Sequence, residues 1–472
     1  MTSQQNINET AVADIEFVIS ECARLHEIVS RLTPKEFLKQ PRNLDFDASL
    51  ALSNGRELYC GIEALRRLYR LATNALRESD AAGTVEPEKV NRALQGLVVQ
   101  RFIEERHAPD DAQVRNVLAA AVGEAKLARS DATHFVPCRL MFVKDPTTFN
   151  VGPVTFRTSV SFHELMGLRY TAYVESSDMP GQRELCGQLL GQARHYYDGF
   201  GWVGEVRILN CDPKTSKKRA HLAVTAALDI LHLLFGTYHT NRMMVGGPRL
   251  ADDRRAHLHL DDKGSLDVSC SSSATSAVGF QGGWEKLFNR DDFAFLLRAA
   301  NKAIEPLVNP SVQRPLGIRF VDAAAWFGDA VREQSDAARV VKASNALEHL
   351  LTTGERRGIT KRLSQRAAAV CYDPHVEESF DEIVQQFVDA YQLRSDLVHG
   401  SLSPFDPGVE ERCGLSMRLT ERALCSALGF FETRGLLDRS LTNEELAAEF
   451  ESLIRWAKGI DAANSERQQR KA

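Results

Sequence analysis

The chain has 472 residues, enough for about two to four domains, and its 43% apolar and 26% charged content is that of a globular protein rather than a disordered or fibrous one. A net charge of −5 excludes a global basic field but leaves room for a local basic patch. Nine scattered cysteines with no C-x-x-C pair fit reduced thiols and exclude a disulfide framework or a zinc ribbon.

Residues 1–130 read as helices only. Ile15, Val18, Ile19, Cys22, Leu25 and Leu32 form one amphipathic face, and Ile62, Leu65, Leu68, Tyr69 and Ala72 a second. Leu94, Leu97 and Val98 belong to a third, and Val114, Val117, Leu118 and Ala121 to a fourth. Pro34, Pro41, Gly83 and Pro109 mark the breaks. The N-terminus is polar and acidic, so no signal peptide is expected.

Residues 131–310 change character. His134–Val143 and Phe149–Phe162 are β-rich runs joined by a polar turn. A helix is expected near Arg183–Tyr197, a strand at Trp202–Leu209 and a helix over Ser216–Phe235. Its most apolar part, Ala223–Phe235, carries Asp229 and His232 and is too short to span a bilayer. Strands at His257–Leu260 and Leu266–Ser269 flank Asp261-Asp262-Lys263-Gly264, a hairpin signal, and Ser269–Ser273 reads as a serine loop.

Pro306, Asn309, Pro310 and Pro315 suggest a boundary. Beyond it, 311–440 reads as a helical domain and 441–472 as a last helix with a polar tail. Helices are expected near 316–332, 336–351, 359–372, 376–399, 409–434 and 443–459. The fold class is therefore α+β and mainly helical: an all-α N-terminal part, an α+β middle part and a C-terminal helical bundle.

Two motifs imitate known sites. Gly199-Phe-Gly201-Trp-Val-Gly204 matches the dinucleotide fingerprint, but the expected order is helix, loop, strand, the reverse of what a pyrophosphate site needs. His257 and His259 share one strand face, as a metal pair would, without an obvious third ligand; no metal site and no cofactor are expected.

Tyr391-Gln-Leu-Arg394-Ser395-Asp-Leu-Val398-His399-Gly400 differs in kind. Phe380, Ile383, Val384, Phe387, Tyr391 and Val398 recur at helical spacing, and Arg394 falls on that apolar face. A cation there must pair, bind an anion or face a shared interface. His399 closes the helix and Gly400 supplies the left-handed residue beyond it. Upstream, Arg356, Arg357, Lys361 and Arg362 make a basic edge suited to a phosphate backbone, or else one that pairs with the acidic stretch Asp373–Asp389.

With Ala346-Leu347-Glu348-His349-Leu350-Leu351 and the run from Ile359 to Ala368, this ending resembles a HEPN domain of the Apea-like branch, over about 316–435. The resemblance implies a helical bundle that dimerises so that two Arg–His pairs meet. It also implies metal-independent endoribonuclease activity, and a setting in bacterial anti-phage, abortive-infection defence. The family's arginine and histidine correspond to Arg394 and His399, and its acidic residue to Glu348. The residue after the arginine is often Asn, Asp or His in active members; here it is Ser395.

The expected function is a cytoplasmic, homodimeric HEPN ribonuclease cleaving RNA by attack of its own 2′-OH. Arg394, His399, Glu348 and Ser395 would be catalytic, and Arg356, Arg357, Lys361 and Arg362 would bind RNA. Residues 1–310 would sense a phage-derived trigger or regulatory partner. Two other readings stand beside it: a non-catalytic dimerisation or RNA-binding module, and a metal-dependent hydrolase centred on the α+β region.

Overall fold

The computed structural model describes residues 2–32, 48–143, 145–175, 180–246, 253–260, 266–273, 284–333, 335–355, 357–406 and 408–469. The chain is mainly helical with a smaller β part, and by contact it divides into two units. One comprises 1–132 with 208–218, and the other 133–207 with 219–472.

The first unit is built on four helices: α1 (Thr2–Arg31), α2 (Gly61–Arg77), α3 (Pro87–Val98) and α4 (Asp111–Lys126). Pro87 opens α3 with its fixed φ, and Asp110 caps α4 by accepting from the Gln113 amide at 2.8 Å. Ile15, Val18, Cys22 and Leu25 of α1 are buried as the periodicity requires. On α2 the buried line runs through Ala64, Leu68, Leu71, Ala72 and Leu76, while Tyr69 faces out. The expected face was rotated because a small alanine, weak in hydropathy, marks the true seam. The unit is not helical throughout. Strands β1 (Ser49–Ala51) and β2 (Glu57–Tyr59) pair across a turn at Asn54-Gly55, where Gly55 has φ +77°. Asp212 is fully buried in this unit and accepts from the Glu86 amide at 2.9 Å and the Thr215 hydroxyl at 2.6 Å.

A five-stranded sheet, most of whose residues belong to the second unit, has the order β4-β5-β6-β3-β7, formed by β3 (Ser130–Arg139), β4 (Thr148–Val151), β5 (Val154–Thr158), β6 (Trp202–Cys211) and β7 (Met244–Val245). The β-run expected over Phe149–Phe162 breaks off at Thr158. Helix α5 (Ser159–Glu175) begins there, and it returns as α6 (Pro180–Asp198), ahead of the longer α7 (Pro213–Phe235). Phe162, Met166, Tyr170 and Val174 lie four residues apart on the less exposed side of α5, a helical period that the aromatic content masked. The order α6, loop, β6 removes the dinucleotide reading. Gly201 has φ +77° in the turn, and a Cβ on Gly204 would lie 2.7 Å from Val224, so these glycines serve the turn and the packing of β6 on α7. Strands β8 (Asp253–Leu260) and β9 (Leu266–Ser273) pair antiparallel, so the serine run is strand and not loop. The hairpin residues Asp261 to Gly264 lie outside the described residues, as do Pro34 and Pro41.

Seven α-helices follow among the described residues: α8 (Asp291–Val308), α9 (Pro315–Arg332), α10 (Asp336–Leu351), α11 (Ile359–Cys371), α12 (Phe380–His399), α13 (Gly408–Thr433) and α14 (Asn443–Gln469). Helix α13 packs against each of α8 to α12, and α14 packs on α11 and α12. Phe320, Phe327, Phe380, Phe387, Phe431 and Phe450 are fully buried. Pro306 sits inside α8 and is buried, its carbonyl accepting from Arg219 at 3.1 Å. The proline-rich stretch thus separates two helices of one core.

Candidate active site at the end of α12

Ser379 starts α12 with a capping box: its hydroxyl accepts from the Glu382 amide, and the Glu382 carboxylate accepts from the Ser379 amide. The helix therefore begins four residues later than the expected 376. It buries Phe380, Ile383, Phe387 and Leu393. It ends at His399, with Gly400 left-handed at φ +76°, as the sequence requires. The buried stripe stops at Leu393. Val398 is 49% exposed, and His399 and Gly400 are exposed beside it.

Arg394 and Tyr391 are half-buried and converge on Glu348 in the last turn of α10. The Tyr391 hydroxyl donates to Glu348 Oε1 at 2.8 Å, and Arg394 Nη2 lies 3.3 Å from the same oxygen. The guanidinium carbon sits 5.6 Å from the Tyr391 ring centroid. Burial, then the hydrogen bond to Glu348 and its charge, push the phenol up to about 12. Tyr391 is thus a fixed donor and not a base. Arg394 Nε is buried without a hydrogen-bond partner among the described residues. The guanidinium is neutralised on one edge and unspent at Nε. Ser395 is half-buried next in line.

The contact of Glu348 with Tyr391 and Arg394 places the C-terminal ends of α10 and α12 together. The short link from Leu351 to Ile359 then brings the start of α11 to the same end of the bundle. Arg357, Lys361 and Arg362 are exposed there, and Arg362 lies 3.7 Å from Glu355; Arg356 falls outside the described residues. Arg366 continues the basic run in sequence only. It is buried, donates to Leu351 O at 2.6 Å and Glu355 at 2.7 Å, and lies 5.3 Å from the Phe450 ring. Burial would raise the Glu355 carboxyl, but hydrogen bonds from Thr353 and from Arg366 outweigh it and hold it down to about 2. Glu355 and Arg366 therefore fix the loop. Of the acids in 373–389, Glu378 pairs with Arg422 at 2.8 Å, Glu382 sits in the cap and Asp389 accepts from Gln385 at 2.8 Å.

Compared with known proteins, the chain matches no family model, no curated protein and no solved structure. The assignment of chemistry thus rests on geometry. The β8–β9 register sets His257 opposite Ser269 and His259 opposite Asp267, with their side chains outside the described residues. Among the described residues, no helix is long and apolar enough to cross a membrane.

Sequence reasoning noted Asp229 and His232 only as polar residues in an apolar helix. Both are fully buried. Arg332, at the end of α9, donates to Asp229 Oδ1 at 2.9 Å, meets His232 Nε2 at 3.0 Å and reaches Asp329 at 3.1 Å. Burial pushes the Asp229 carboxyl up to about 7 against the opposing pull of Arg332. Burial, then the Arg332 charge, drives the His232 imidazole well down. A Cβ on Gly328 would lie 1.8 Å from Asp229 Oδ1, so that glycine makes room for the carboxylate. The signal was a three-residue spacing of Asp and His in an apolar run; its partner lies about a hundred residues away.

Proposed function

We propose that residues 311–440 form an Apea-like HEPN domain and that the protein is a metal-independent endoribonuclease of anti-phage, abortive-infection defence. The observation that carries the reading is the meeting of Glu348, on the Ala-Leu-Glu helix, with Arg394, one turn before a helix end that carries His399. In this reading His399 is exposed to substrate and moves the protons: it takes one from the 2′-OH and returns one to the leaving 5′-oxygen. Arg394 holds the phosphorane oxygens with its fixed charge and planar Nη groups. Glu348 and Tyr391 orient that fork. Ser395 offers a weaker polar group than the Asn, Asp or His usual after the arginine.

A homodimer through the exposed end of α12 would bring two such pairs to one RNA and cover Val398. Residues 1–310 would then sense the trigger. The purified chain should cut single-stranded RNA in EDTA, leaving a 2′,3′-cyclic phosphate and a 5′-hydroxyl, and a 2′-deoxy nucleotide at the scissile position should block cutting. A requirement for Mg²⁺ or 5′-phosphate products would sink the mechanism.

The exposed Arg357, Lys361 and Arg362 are assigned to the RNA backbone. Reversing Lys361 and Arg362 to glutamate should weaken RNA binding and flatten the salt slope by about two counterions, with a smaller change in rate at saturating RNA. An unchanged slope would leave these residues as solvated surface. The Arg394–Glu348 ion pair also supports a second reading, a non-catalytic module that dimerises or binds RNA. That reading expects RNA binding without cleavage.

A further inference from the structure

We propose that the helical hairpin α5–α6 is a self-association surface, covered in the working protein by the same hairpin of a second copy of this chain. The hairpin is secured at its root. Phe162 packs on Phe135 at 5.2 Å and on Tyr197 at 5.4 Å, and the Tyr197 hydroxyl donates to Phe135 O at 2.6 Å. His163 ties the two helices, with one ring nitrogen 2.9 Å from the Tyr170 hydroxyl and the other 2.8 Å from Asp198.

Outside that root the helices turn large apolar side chains to solvent. Val160, Leu165, Leu168, Tyr173, Leu185, Leu189 and Tyr196 are each between 40% and 89% exposed, Leu168 the most. Leu185, Leu189 and Tyr196 fall on one face of α6 at helical spacing, and Leu165 and Leu168 on one face of α5. Nearly every residue of α6 is exposed, which a helix with this much apolar content does not sustain alone.

The size of the surface fits one occupant. A large apolar side chain in the open presents roughly 150–200 Å², so the five on these two faces expose on the order of 500 Å². A homodimer interface buries about 800 Å² per partner, about 65% of it apolar, or on the order of 500 Å². The charges fit the same occupant. The helices carry Glu164, Glu175, Glu184 and Asp198 against Arg169, Arg183 and Arg194, with no lysine. Mixed and nearly balanced charge suits a two-fold contact in which the patch meets itself. It does not suit an anionic membrane or a nucleic acid, each of which calls for a basic face.

This inference uses no residue of the candidate site and stands apart from the ribonuclease reading. The test is hydrogen exchange on the full-length chain at nanomolar and high-micromolar concentration, with sedimentation velocity alongside. Amides of α6 should exchange at least about tenfold more slowly at high concentration, as the sedimentation coefficient rises. The L168E/L189E double variant changes only exposed positions, so its far-UV spectrum should match the wild type while the concentration-dependent protection of α6 disappears. If that variant fails to fold, L165K/L185K gives the same reading on two other exposed positions, and the wild-type exchange result stands without either. Protection of α6 that ignores concentration overturns the inference. So does protection gained only on adding phosphatidylserine vesicles. Self-association abolished by V398E but untouched by the hairpin variants also overturns it, and leaves the ribonuclease proposal standing.

Discussion

Replacing Arg394 with alanine is expected to slow RNA cleavage by about 10²–10³-fold, the usual loss when one oriented donor to a developing oxyanion is removed. The bundle should stay folded. Arg394 is half-buried, and without it Glu348 keeps the Tyr391 hydrogen bond at 2.8 Å, so no carboxylate is left buried and bare. Lysine should restore only part of the rate, because an ammonium lacks the planar fork that can hold two oxygens at once. His399→Ala should cost about 10²–10⁴-fold through loss of proton transfer, again with the fold intact, since the ring is exposed beyond the last buried residue of α12. Both effects belong in the rate at saturating RNA under single-turnover conditions. A His399→Ala variant that cleaves at the wild-type rate would remove the proposed chemistry, whatever its effect on binding.

The helices of the C-terminal half were legible because their signals are local. Ser335 and Ser379 cap, Gly358 and Gly400 take left-handed φ, and the apolar residues keep the helical period. The helix start at Phe380 was missed because Val376 extends the apolar run, although the capping serine decides the boundary. The site was legible as a list and not as a geometry. Arg394 on an apolar face announced a partner, but Tyr391, which shares that partner, read only as core. Arg366 shows the converse failure: in a run of basic residues nothing local separates the buried arginine that clamps Glu355 from the exposed ones beside it. The β1–β2 hairpin carried its Asn-Gly signal in plain view, but strands of three residues are too short for a period to register. The Arg332 contact with Asp229 and His232 lay beyond reach because it depends on how α7 and α9 pack, which no local pattern encodes.

That buried trio should contribute almost no slope of its own to stability just below pH 6.5, and single substitutions should unmask the two opposing slopes within it. The Asp229 carboxyl is raised to about 7 in the folded state from 3.8, so the folded chain holds this proton more tightly than the unfolded chain. Its contribution is fully present below pH 3.8 and is lost as pH rises through about 7. His232 is lowered well below 6.5, so its contribution is present above pH 6.5 and is lost as pH falls. Just below pH 6.5 the folded pair carries one proton, on the aspartate. The unfolded pair also carries one, on the histidine. The two slopes cancel. Asp229→Asn keeps an acceptor for Arg332 and leaves only the histidine slope, so stability should fall below pH 6.5 by about 1.4 kcal/mol per pH unit relative to wild type. His232→Gln also keeps an acceptor and leaves only the aspartate slope, so stability should fall by about that amount per unit as pH rises from about 4 towards 7. Against the pull of burial, Asp229 raises Arg332, which faces the pair, further above its ordinary value, so Arg332 stays charged across this window and contributes no slope of its own. Denaturant midpoints of the wild type and both variants at pH 4.5, 5.5, 6.5 and 7.5 give the three profiles, and comparing differences removes the slopes of every other group. Profiles that run parallel would mean that Arg332 holds Asp229 ionised and that its carboxyl titrates near the ordinary range.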